Sequence, residues 1–178
     1  SIKDAKFNLR IMYGKDLKDF ASQTKNFQKR DCFTQIQEYL YSDTLDKVCL
    51  VYGLRRTGKT TMLRQCFYEM KEGDFKRSVY IKATVTDTMA ALNKDLKQLR
   101  ELGIKYVFID EVTLISDFID SAAILSDIYS AMGMKIVLSG TDSLGFWLAV
   151  HEELYDRAVM VHTTYIPFSE HSRLLGIN

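Results

Sequence analysis

Apolar residues along this chain fall into two patterns. Val48-Cys49-Leu50-Val51-Tyr52, Val79-Tyr80-Ile81, Tyr106-Val107-Phe108-Ile109 and Ile136-Val137-Leu138 are short, continuous runs bounded by glycine or polar residues. Such runs mark strands buried on both faces, the habit of a parallel sheet covered by helices. Between them the spacing changes to the helical period. Met62, Leu63, Cys66, Phe67 and Met70 share one face, with Gly73 as a C-terminal cap. Met89, Leu92, Leu96 and Leu99 share another, stopped by Gly103. Ala122, Leu125, Ile128, Tyr129 and Met132 make a third, stopped by Gly133. Ile36, Tyr39 and Leu40 predict a helix ahead of the first strand, and Leu144 to Ala149 a helix after the last. Strands alternating with helices predict an α/β domain over residues 31–178, preceded by a mixed segment over residues 1–30. The chain has 178 residues, enough for one such domain with a substantial core.

The link between the first strand and its helix is Gly53-Leu54-Arg55-Arg56-Thr57-Gly58-Lys59-Thr60. Strand, glycine loop, Lys-Thr and helix together are a P-loop, the Walker A motif. Gly53 and Gly58 allow a turn that other residues resist. The turn aims backbone N–H groups inward, and the helix N-terminus adds positive potential. Phosphate is the ligand such a cradle takes. Lys59 would pair with β- and γ-phosphates and the Thr60 hydroxyl would ligate Mg²⁺. The nucleotide-binding set is therefore Gly53, Leu54, Arg55, Arg56, Thr57, Gly58, Lys59, Thr60 and Thr61. The side chains of Arg55 and Arg56 have two readings, phosphate or solvent.

Lys105-Tyr106-Val107-Phe108-Ile109-Asp110-Glu111 supplies the second half. A buried strand ending in carboxylates delivers them where ligands gather in parallel sheets. Asp110 would hold Mg²⁺ directly or through water, and Glu111 would polarise an attacking water. A strand between the two motifs, Ser78 to Lys82, and a glutamate after the aspartate resemble the additional-strand, catalytic-glutamate division of P-loop NTPases. In that division the end of the Lys135–Ser139 strand carries a sensor hydroxyl or amide for the γ-phosphate. Ser139 and Thr141 are both candidates, with Thr141 favoured and Asp142 or Ser143 left to cap the next helix. Arg157 is a candidate for stabilising charge on the transferring phosphoryl group, in its own subunit or a neighbour's. Its other reading is an ion pair with Asp156 or Glu153.

Gly53 to Leu63, Phe108-Ile109-Asp110-Glu111-Val112, Val137 to Ser143 and Tyr165-Ile166-Pro167-Phe168-Ser169-Glu170 together resemble prokaryotic AAA+-like ATPases, over roughly residues 30–175. The resemblance implies a sheet of order 5-1-4-3-2, ATP rather than GTP, and an adenine resting against the segment before the first strand. It also implies a helical lid and a C-terminal winged-helix or nuclease-like domain. The chain begins with Ser1 and ends soon after the last core segment, so a piece of a longer protein is expected. Where the family has a glycine before the arginine, this chain has Asp156.

Composition narrows the picture little. Hydrophobic residues at 47% and charged residues at 26% are ordinary for a globular domain. No apolar run approaches the roughly 18 residues of a membrane span, and no signal pattern is visible, so a cytoplasmic protein is expected. A net charge of +1 gives no general support for nucleic-acid binding; the local Lys25–Arg30 cluster reads as a solvated loop or helix entry, with contact to the nucleotide base, DNA or a partner as its second reading. Cys32, Cys49 and Cys66 sit in apolar patterns and read as reduced, buried thiols. His151, His162 and His171 have no ligand spacing. The expectation is a Mg²⁺-dependent ATPase working on an unknown protein partner or as a homo-oligomer. Its alternatives are a slow nucleotide-gated switch and the ATPase module of a DNA-associated protein.

Overall fold

The computed structural model describes residues 1–23, 31–53, 58–140 and 150–163. Six strands are present among them: β1 Arg10–Met12, β2 Val48–Gly53, β3 Ser78–Lys82, β4 Tyr106–Asp110, β5 Lys135–Ser139 and β6 Ala158–Thr163. They form one sheet in the order β1-β3-β4-β5-β2-β6. β2 to β6 are parallel, and β1 runs antiparallel to β3. Counted from the glycine-loop strand, the parallel part has the expected 5-1-4-3-2 order. The strand inserted between the two motif strands is β5, however, and not Ser78–Lys82. β3 precedes β4 in the chain but lies beyond it in the sheet, because its register is taken against β4 alone among the parallel strands.

Helices cover both faces, as the apolar strands require. α1 Gly14–Ser22, α2 Asp31–Leu40 and α3 Lys59–Tyr68 pack on one side. Leu17, Phe33, Ile36, Met62 and Phe67 there meet Cys49, Val51, Tyr80, Phe108 and Val137 of the strands. α4 Glu72–Phe75 follows α3. On the other side α5 Met89–Glu101 and the stretch from Val112 to Met134 meet Leu50, Val79, Ile81, Val107, Ile109 and Leu138. The pleat sends alternate residues to opposite faces, so continuous apolar runs serve both cores. Burying a large side chain in either core stabilises by roughly 1.5–3 kcal/mol.

The N-terminal segment is built into this sheet. Asp95, on the core face of α5, is 2% exposed. It accepts from the Asn8 amide at 2.9 and 3.0 Å and from the Leu9 amide at 2.7 Å. Backbone donors thus meet a buried carboxylate and set β1 against the edge of β3.

The third helical face takes a different form. α6 Phe118–Ser121 is short, and Leu125–Ser130 winds as a π-helix. The Ala131 amide reaches back to the Ser126 carbonyl, five residues away, at 3.1 Å. The wider turn buries Leu125, Ser126, Tyr129 and Ser130. Ile128 and Met132, expected on the buried face, are 41% and 55% exposed.

The cysteines are buried and unpaired with one another, as expected. Burial pushes the Cys49 and Cys66 thiols well above the ordinary range, which leaves them unreactive. Among the described residues no helix is long and apolar enough to cross a membrane.

Candidate nucleotide-binding site

The register of the sheet brings the two motifs to one end. Val51 of β2 stands level with Ser139 of β5, and Ile109 of β4 with Leu138 of β5. Gly53, Ser139 and Asp110 therefore finish neighbouring strands at the same edge. α3 starts from that edge. Gly58 caps it at φ 83°, in the left-handed region that favours glycine. The first intrahelical bond is the Met62 amide to the Gly58 carbonyl at 3.0 Å, so the amides of Lys59, Thr60 and Thr61 point out of the helix start.

Gly53 is required for another reason. Its φ is +150°, and a Cβ placed there would lie 1.9 Å from the Thr163 carbonyl oxygen. β6 closes on β2 at the very start of the loop, and the Thr163 hydroxyl donates to the Tyr52 carbonyl at 3.0 Å. The Lys59 ammonium donates to the Gly53 carbonyl at 2.8 Å.

Asp110 is the hub. It is 4% exposed and its carboxylate accepts from hydroxyls on three elements. Thr60 of α3 donates at 3.3 Å and Tyr80 of β3 at 2.5 Å, both to Oδ2, and Ser139 of β5 donates to Oδ1. Burial first, then the Asp110 charge, hold the Tyr80 phenol far above its ordinary range, so it remains a donor. Phe20 packs against the Tyr80 ring at 4.4 Å and Phe67 stands edge-on at 6.3 Å, fixing it in place. Arg64 lies 4.4 Å over the Phe20 ring, one turn along α3 from Thr60.

Glu111 follows with φ 58° and ψ 41°, a left-handed conformation that costs a glutamate on the order of 1 kcal/mol. The fully buried Val112 and a bond from the Leu114 amide to the Glu111 carbonyl at 3.0 Å hold it there. The strain turns the chain away from the β4 direction immediately after Asp110.

Arg157 stands away from the glycine loop. Arg157 precedes β6, at the opposite end of the sheet from Gly53. The length of β6, at about 3.3 Å per residue, separates it from the loop by roughly 20 Å, beyond an arginine's reach within its own subunit. Its guanidinium instead pairs with Asp127 at 3.0 Å and donates to the Glu153 carbonyl at 3.1 Å. The carboxylate partner is Asp127 and not Asp156 or Glu153. Asp156 has φ 65°, which is where a glycine would be at ease. Leu54, Arg55, Arg56, Thr57 and Thr141 lie outside the described residues, as do Asp142, Ser143, the Leu144–Ala149 helix, the Lys25–Arg30 cluster and His171.

Tyr80 is the residue that sequence reasoning missed. It reads as core in an apolar strand. Ser78, Tyr80 and Lys82 alternate on one face, and that was the available signal.

The donor set suits magnesium. Thr60, Asp110 and Ser139 present oxygen only, the ligand type that hard cations take. Among the described residues no three His, Cys, Asp or Glu side chains gather as a metal cage. One carboxylate and one hydroxyl are what Mg²⁺ uses when phosphates and water supply the rest.

A glycine loop between strand and helix, an acidic strand end at the same edge and β5 inserted between the two motif strands define a P-loop NTPase core. The family described as AAA domain matches residues 45–172, and the chain belongs to it. It is thus an AAA-type ATPase core. Its structure is similar to the Saccharomyces cerevisiae Hsp104:casein complex in its extended conformation, with a TM-score of 0.62 at 15% identity. That alignment covers 90% of this chain and 31% of the Hsp104 chain. Caenorhabditis elegans PCH-2 aligns with a TM-score of 0.49 at 15% identity, over 88% of this chain and 44% of that one. The chain spans under half of either chain it resembles. None of the curated proteins matches it.

Proposed function

We propose that the chain binds ATP with Mg²⁺ at the carboxyl end of its sheet and hydrolyses it to drive or gate a conformational change. The observation that carries this is the Thr60 hydroxyl, from the turn after the glycine loop, standing 3.3 Å from the Asp110 carboxylate. Two segments fifty residues apart converge there, each with the group that the chemistry needs.

In this reading Lys59 releases the Gly53 carbonyl and turns to the β- and γ-phosphates. Residues 54–57 and the amides opening α3 cradle the same charge. Thr60 and Asp110 would hold Mg²⁺. When bound, that ion neutralises charge between the phosphates during transfer. Tyr80 and Ser139 keep the Asp110 carboxylate in one orientation, as outer partners of metal ligands do. Glu111 orients the attacking water and accepts its proton. Ser139 or Thr141 is the γ-phosphate contact. An arginine completing the site comes from a neighbouring subunit of a homo-oligomer, and Arg157 can serve only in that way. Placing donors where charge develops supplies most of the acceleration in such reactions. Work on a protein partner, and a lid or effector domain beyond this core, belong to the same proposal.

Glu111→Gln tests it. Nucleotide binding is expected to persist while steady-state hydrolysis falls by roughly 10²- to 10⁴-fold. An unchanged rate removes Glu111 from the mechanism.

A nucleotide-gated switch is favoured by a different observation. Lys59 and Asp110 are already satisfied by the protein's own groups, so nucleotide binding must rearrange both. Single-turnover measurement separates the two: slow cleavage with retained ADP marks the switch.

A further inference from the structure

The opposite end of the sheet holds a recess that the nucleotide reading leaves unused. Residues leading into β3, β4 and β5 surround about 510 Å³, with Arg77, Arg100 and Lys105 in the wall. No carboxylate lines it. Among the described residues none of these three cations forms an ion pair; the pairs present lie elsewhere. Arg77 makes only a long contact, 3.5 Å, to the Gly103 carbonyl. Lys105 stands 5.5 Å over the Tyr106 ring. Lys135 adds a fourth positive charge from the next strand, buried and tied to the Thr44 carbonyl at 2.7 Å. Burial first and then Lys105 draw its pKa below the ordinary lysine value, against the opposing pull of Asp43.

The turns that carry these cations are well fixed. The Ile104 amide bonds to the Leu99 carbonyl and the Gly103 amide to that of Arg100, both at 3.0 Å. The Met134 and Gly133 amides repeat the pattern on Tyr129 and Ser130 at 3.1 and 3.0 Å. Both are glycine helix stops, with φ +86° at Gly103 and +99° at Gly133. The backbone has satisfied its own donors, so what the recess offers is side-chain charge. Beside that charge stand exposed apolar groups. Met132, in the wall, is 55% exposed, and Leu102, next to Gly103 in the chain, is 37% exposed.

We propose that this recess docks an acidic segment of a partner protein. Arg77, Arg100 and Lys105 take its carboxylates, and an apolar side chain of the segment rests on Met132 and Leu102. Arginine forks match carboxylates in paired hydrogen bonds, which fixes orientation as well as charge. The recess has room for a few side chains. Nucleic acid fits less well: phosphate backbones need a longer basic track, the chain's net charge is only +1, and Met132 and Leu102 would have nothing apolar to cover. The proposal does not rest on the nucleotide reading, since the two sites lie at opposite ends of the strands.

The test is fluorescence anisotropy with a labelled glutamate-rich peptide containing leucine, against the same peptide with glutamine in place of glutamate and against a single-stranded oligonucleotide of equal charge. The acidic peptide is expected to bind in a salt-sensitive manner and to lose at least about tenfold in affinity with the Arg77→Ala/Arg100→Ala variant. Met132→Ser is expected to weaken binding less, and to weaken it at high salt too. The urea unfolding midpoints of these variants should equal the unaltered chain's, which shows them folded. Equal affinity of the glutamate and glutamine peptides, or no loss in the double-arginine variant, overturns the proposal. Tighter arginine-dependent binding of the oligonucleotide overturns it in favour of nucleic acid.

Discussion

The two ends of the sheet are built from the same strands to opposite rules. At the carboxyl end a negative charge is surrounded: Asp110 is buried and takes hydroxyls from α3, β3 and β5. At the amino end Arg77, Arg100 and Lys105, on turns whose backbone is already satisfied, form no ion pair among the described residues. The first end is strained and crowded, with Glu111 left-handed and Gly53 pressed against Thr163. The second has left-handed residues of its own, Asp46 at φ 58° and Asp156 at φ 65°, but its glycines have open space around them. Crowding at the carboxyl end fixes the groups that the proposed chemistry would use. Charge left over at the other marks a surface.

Glycine substitution breaks this comparison most severely. Gly53→Ala puts a methyl group 1.9 Å from a carbonyl oxygen in a backbone region hostile to alanine. We expect a loss of roughly 3 kcal/mol or more, read by urea unfolding. Gly103→Ala meets nothing within 4 Å and should cost only about 1 kcal/mol, for its positive φ. Equal losses would erase the distinction between the two ends.

Tyr80→Phe sharpens the account of the crowded end. It removes one donor to Asp110 and nothing else. The Mg²⁺ concentration needed for tight nucleotide binding should rise by roughly tenfold, while nucleotide binding without Mg²⁺ is unchanged. An unaltered Mg²⁺ requirement would reduce Tyr80 to packing.

Arg157→Ala has the smallest expected effect. Its ion pair with Asp127 is about half exposed, and exposed pairs contribute roughly 0–1 kcal/mol. Stability should shift by no more than about 0.5 kcal/mol. Hydrolysis at high dilution, where subunits separate, should not change. A large loss there would bring Arg157 back to its own subunit's site.

The crowded end was largely legible in the sequence, because its chemistry is written in contiguous motifs. Glycine loop, Lys59-Thr60 and Asp110-Glu111 each announce themselves within a few residues. Tyr80 was hidden, since a tyrosine in an apolar strand looks like core until register shows what stands beside it. The place of Arg157 was hidden for a related reason: the limits of β6 were not readable, so neither was the end of the sheet that precedes it. β1 is three residues long and exists only through its pairing with β3. Ile128 and Met132 were lost to a change of helical period that no local propensity records. The basic recess was invisible, because Arg77 meets Arg100 and Lys105 only once β3 pairs with β4 and brings their two turns together.

The central claim is that one phosphate site sits at the carboxyl end, held by Lys59 from the helix and Asp110 from the strand. The direct measurement is titration of a fluorescent ATP analogue, with and without Mg²⁺, into the unaltered chain and into Lys59→Ala. The account predicts saturable, Mg²⁺-strengthened binding that Lys59→Ala abolishes. Binding that survives Lys59→Ala undiminished, or no binding by the unaltered chain, would contradict it.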